Sequence, residues 1–115
     1  MDIIIIFLQI ILGLAFLIAG IGKLTSARIY INSFRRWRLP QSFRLVVGGL
    51  EVFASVLLFL GLFSQLFILL GALILVGISI GGILVHYNVK DRIQEMLPII
   101  ILGSLSLLLL LLVGI

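Results

Sequence analysis

Apolar residues along this chain do not alternate with polar ones; they gather into four long blocks separated by polar breaks of unequal size. The first block covers residues 3–22 and is closed by Lys23. The second covers 45–63 and holds one acid, Glu51. The third covers 66–85 and is closed by His86. The fourth covers 96–115, with Pro98 in its first turn. Each is close to the ~20 residues whose helix crosses a ~30 Å hydrocarbon core. Isolated strands would leave backbone groups unsatisfied there, and four segments are too few to close a barrel, so helices are expected throughout. The four consecutive isoleucines at 3–6 would favour a strand in water, but the bilayer overrides that propensity. Pro98 is tolerated where a helix's first turn has no N–H partner to lose. The first block is too long for the h-region of a cleaved signal, and Asp2 gives it no basic flank, so it is expected to remain as a span. The expected fold is an all-α membrane protein, a four-transmembrane-helix antiparallel bundle forming a single integral membrane domain over residues 1–115.

The breaks set the topology. Only Ser64 and Gln65 separate the second and third blocks, a tight turn that makes antiparallel neighbours. The first break carries Arg28, Arg35, Arg36 and Arg38, with Arg44 at its end; the last carries Lys90, Asp91, Arg92 and Glu95. With four spans, both long breaks fall on one face, and Lys23 and His86 fall there too. All eight Lys and Arg residues thus share one surface. The positive-inside rule makes that surface cytoplasmic and places both termini outside. Within the first break Ile29, Tyr30, Phe34 and Trp37 interleave with arginines at spacings that partly suit a helix. This predicts a short interfacial helix in the first cytoplasmic loop, ended by Leu39-Pro40. Arg28, Arg35, Arg36, Arg38 and Trp37 are then placed to meet lipid headgroups.

Composition agrees and excludes much. The chain is 63% hydrophobic and only 10% charged, with a mean hydropathy of +1.48, whereas a soluble domain runs nearer a quarter charged. The net charge of +4 therefore reads as topology signal and anionic-lipid contact, with no nucleic-acid partner expected. No cysteine is present, which removes thiol redox chemistry and cysteine-held clusters or zinc; a single histidine removes a bis-histidine haem within one chain. No metal-ligand spacing, nucleophilic triad or phosphate-binding loop is evident.

Chemistry concentrates near the charged face. Gln9, Gly13, Phe16 and Gly20 share one stripe of the first helix; Gly48, Glu51 and Ser55 share one of the second; Ser79, Gly82 and His86 share one of the third. Small residues let helix backbones approach in lipid, and packing accounts for nearly all of the glycines. It does not account for Glu51, which at 1.5 Å per residue sits roughly 10 Å past Arg44. A carboxylate there costs several kcal/mol unless paired, protonated or wet, and marks a functional site by default. Lys23 is its expected partner. Glu51, Lys23, His86 and Asp91 are the ligand- or proton-site candidates, lining one polar pocket that opens toward the cytoplasm. Blander readings stand beside this: a register-fixing ion pair for Glu51, an interfacial imidazole at a helix C-terminus for His86, and a solvated loop cluster for Asp91 with Lys90, Arg92 and Glu95.

Three stretches, LGLAFLIAGIGKL from Leu12, RLPQSFRLVVGGLEVFASVLLFLGLF from Arg38 and HYNVKDRIQEMLPIIIL from His86, together resemble the DoxX family, and most closely its small DoxX-like branch. The matching positions are Gly20, Lys23, Pro40, Gly48, Glu51, Gly61 and His86. The resemblance implies a four-helix bacterial membrane protein linked to redox processes, quinone-dependent reactions or oxidative stress. A related branch carries a cysteine pair near the third helix, and this chain has none. Three functions are therefore weighed. One is a quinone-linked or redox-associated component in which Glu51 or His86 exchanges protons and a membrane protein partner supplies electrons. Another is a non-enzymatic membrane subunit or assembly factor of a larger complex, or a homo-oligomer. The last is a small proton-coupled transporter using Glu51. The resemblance makes quinone the one cofactor to weigh.

Overall fold

The structure is a computed structural model and describes residues 3–114. It contains α1 (Ile3–Leu24), α2 (Arg28–Arg36), α3 (Gln41–Leu60), α4 (Gln65–Asn88) and α5 (Ile93–Gly114). The chain is all-helical among the described residues, and α1, α3, α4 and α5 are each long and apolar enough to span a membrane. The 42 Å long axis matches a bilayer core with its headgroup layers.

Helix ends differ from the expected spans for one physical reason. Hydropathy marks the apolar slab, whereas a helix continues while its backbone stays hydrogen-bonded. Instead of 45–63, α3 starts just after Pro40 and ends at Leu60, capped by Gly61, whose N–H bonds the Leu57 carbonyl. Instead of 66–85, α4 runs to Asn88 and carries His86 inside it. Instead of 96–115, α5 starts at Ile93, so Pro98 lies in the second turn and withholds an N–H from the Gln94 carbonyl. The first helix runs two residues past its expected end, to Leu24.

Four spans form a ring in which α1 packs on α3, α3 on α4, α4 on α5, and α5 back on α1. The α1–α3 contact is backbone-close: a Cβ on Gly20 would lie 2.8 Å from the Gly48 carbonyl oxygen, and one on Gly48 would lie 2.8 Å from Lys23 Cβ. At the opposite end the turn at Ser64 holds α3 against α4, where a Cβ on Gly61 would come within 2.2 Å of Ile68. The sealed core sits in that uncharged half, built on Leu12, Leu58, Leu75 and Leu109, all fully buried. From there toward the charged end α3 and α4 separate, leaving the charged half hollow.

Three Schellman turns shape the charged end. Ser26, Arg38 and Lys90 take positive φ (60–63°), and the residue after each donates to a carbonyl five residues back: Ala27 to Gly22, Leu39 to Phe34, Asp91 to His86. The first turn folds α2 back across the bundle end. The helix expected in this loop is present, but it carries Tyr30, Phe34 and Trp37 inward along one face, at spacings of four and three.

Candidate functional site

Between the diverging halves lies a cavity of about 740 Å³. That is ample for a drug-sized molecule. Its walls are almost wholly apolar. Phe16 and Ala19 come from α1, Val47 and Leu50 from α3, and the flat backbone at Gly77 and Gly81 from α4. Pro98 and Ile99 come from α5, and Tyr30, Phe34 and Trp37 form a roof from α2. Gly77 and Gly81 have open space where a Cβ would stand, and Leu50 and Phe43 are about half-exposed, so the cavity opens sideways between α3 and α4.

Polar groups enter this cavity at two places. On the α1–α3 side Lys23 Nζ lies 2.7 Å from Glu51 Oε1, with the side chains 13% and 3% exposed. The Gly20–Gly48 contact sets this pair, because it brings α1 close enough for Lys23 to reach back along α3. The Lys23 ammonium also lies 4.4 Å from the centre of the Tyr30 ring, a cation–π contact. Burial pushes the Tyr30 phenol above its usual range, and the Glu51 charge adds to this, so Tyr30 stays a neutral O–H donor. Arg44, 6% exposed, donates to the Lys23 carbonyl and to Gln41, closing the otherwise open end of α1.

On the α4–α5 side His86 lines the cavity, and its Nδ1 lies 2.5 Å from Asp91 Oδ2. The Schellman turn at Lys90 makes this contact, since it folds the Asp91 backbone onto the His86 carbonyl. Arg36 of α2 binds both Asp91 oxygens, one of them at 3.2 Å, and lies 3.7 Å from Glu95. This fork holds the Asp91 carboxyl down at about 2, with His86 contributing, and it raises Arg36 in turn. The Trp37 ring stands edge-on to His86 at 5.1 Å and packs on Phe34, also at 5.1 Å. Trp37 Nε1 is buried without a hydrogen-bond partner.

Lys23, Glu51 and His86 therefore share one cavity, while Asp91 stands behind His86, with a side chain only 4% exposed rather than in a solvated loop cluster. Arg28, Arg35 and Arg38 are exposed at the charged end, as headgroup contacts require. Arg36, half-exposed at the same end, is bound to Asp91, and of the expected headgroup residues Trp37 is placed otherwise, turned into the cavity against His86. Tyr30, Phe34 and Arg44 are site residues that the sequence reading does not single out, although the Tyr30–Phe34–Trp37 spacing is in the sequence. Among the described residues no group of three His, Cys, Asp or Glu side chains could hold a metal ion.

The described geometry is an apolar, aromatic-walled space lined by two donors, the Tyr30 phenol and the Lys23 ammonium, with His86 across from them. A model of the DoxX-like family matches residues 7–111. No curated protein and no solved structure matches the chain.

Proposed function

The chain belongs to the DoxX-like family of membrane proteins, and on that premise we propose that it binds a quinone-type lipid in its lateral cavity and works as a redox-associated component with a partner protein. The observation that carries this reading is the cavity itself. It is an aromatic-walled cleft open to lipid, with a buried ion pair on one side and a histidine–carboxylate pair on the other. A quinone ring presents carbonyl acceptors, and the Lys23 ammonium and the Tyr30 phenol are donors among the residues that line the space such a ring would fill. The apolar tail would leave between α3 and α4 into the bilayer. Lys23, Tyr30, Trp37 and His86 would hold the ring; when bound, the quinone supplies two-electron redox chemistry. The chain has no cysteine, so a thiol of its own cannot feed electrons to the site, and a partner protein is assigned that task. The membrane is the bacterial inner membrane, with the charged face and the cavity mouth cytoplasmic.

The transporter reading is weaker, because among the described residues the uncharged half of the bundle is packed with fully buried side chains such as Leu12, Leu58, Leu75 and Leu109. The test is purification in nanodiscs, followed by mass spectrometry of retained proteins and lipid-soluble molecules. Retention of a quinone, reduced in Glu51→Gln, supports the proposal. A stoichiometric protein partner with no small molecule overturns it and makes the chain a structural or assembly subunit, with the ion pair a packing device.

A further inference from the structure

His86 is the only histidine in the chain, and its surroundings fix which ring nitrogen carries the hydrogen. Arg36 binds both oxygens of Asp91, whose carboxyl is held at about 2 and is ionised throughout the physiological range. An ionised carboxylate can only accept. The hydrogen in the 2.5 Å contact therefore belongs to His86 Nδ1. Nε2 lies across the ring, away from Asp91, and is the nitrogen left for a molecule in the cavity that His86 lines. In a neutral ring so held, Nε2 is an acceptor; in the imidazolium it is a donor.

A quinone offers acceptors at its ring oxygens, and a hydroquinone offers hydroxyl donors. Resting on the quinone reading above, we propose that the charge on His86 selects the redox form the cavity holds: the imidazolium favours the quinone, and the neutral ring favours the hydroquinone. The polar groups lining this space from the other helices are Lys23 on α1, Tyr30 on α2, Glu51 on α3 and Glu95 on α5, and Arg36 of α2 faces His86 only through Asp91. Lys23 and Glu51 offset each other at 2.7 Å. Arg36 is held by Asp91 and Glu95, and Tyr30 stays a phenol. A donor set against a donor leaves a buried group unsatisfied and shifts the preference by about tenfold.

Trp37, the only tryptophan, lies in the cavity wall 5.1 Å from His86, so its fluorescence reports occupancy directly. The nanodisc-embedded protein is titrated with a decyl-benzoquinone and, separately, with its hydroquinone from pH 5.5 to 8.5. The ratio of quinone Kd to hydroquinone Kd is expected to rise about tenfold across this range, and to stay flat in His86→Gln. A flat ratio in the native protein, or the same slope in His86→Gln, overturns the selection while leaving the quinone reading intact. Absence of quenching by either form at every pH overturns both. Nitrogen NMR of the single labelled imidazole adds a readout that needs no substitution and no ligand. The Nδ1–H tautomer is expected in the neutral ring, and the Nε2–H tautomer overturns the inference.

Discussion

Removing one member of the Lys23–Glu51 pair should harm the bundle unequally, depending on which member goes. Unit charges 2.7 Å apart at an effective dielectric near 20 attract by about 6 kcal/mol. Desolvation of the two charges takes back much of this, so the pair's net worth is far smaller. Lys23→Met strands Glu51, whose side chain is 3% exposed and has no other cation within ion-pair distance among the described residues. The expected loss is about 3–5 kcal/mol. Glu51→Gln leaves a lysine that is 13% exposed, sits at the charged end and keeps its contact with the Tyr30 ring. Its long stem can carry the ammonium outward, and Gln can still accept from it, so the expected loss is about 1–2 kcal/mol. The double variant should lose less than Lys23→Met alone, giving a coupling of about 2–3 kcal/mol. The assay is reversible unfolding in mixed micelles of rising SDS fraction, followed by Trp37 fluorescence and helicity. A coupling below about 0.5 kcal/mol, or a Glu51→Gln loss as large as that of Lys23→Met, would refute the claim that burial rather than proximity governs this pair.

Three further outcomes follow from the same geometry. Gly61→Ala meets Ile68 at 2.2 Å and should destabilise by about 1–3 kcal/mol in the SDS titration, whereas Gly49→Ala, which meets nothing within 4 Å, should be neutral or slightly stabilising. Asp91 titrates below its ordinary 3.8, so its contribution to docking α2 is full above that value and is lost as pH falls toward about 2. Thermal unfolding should be level down to about pH 4 and fall below it, and Asp91→Asn should abolish that acid-sensitive step. Since the chain has no cysteine, single cysteines at Arg28 and Ser64 report topology. An impermeant thiol reagent applied to intact cells should label the second and spare the first, and the reverse pattern would overturn the orientation.

Hydropathy and charge by themselves determine the architecture, because lipid leaves a chain few choices. Four blocks of spanning length must be helices, a two-residue break makes antiparallel neighbours, and the basic residues gather at one face. Glu51 was legible as a site because a carboxylate inside an apolar block is too costly to be incidental, and Lys23 as its partner because both sit near one end. What only the tertiary structure decided depends on contacts that no residue pattern encodes. The Schellman turn at Lys90 requires a left-handed residue, and a lysine there gives no signal of it; without that turn Asp91 reads as a solvated loop acid. Trp37 suits a headgroup layer equally well by composition, and only the fold of α2 over the bundle turned it onto His86. The cavity is the largest such case. It exists because close packing at Gly61 and Gly71 joins α3 to α4 at one end only, and a void is a property of how helices diverge, not of any residue that lines it.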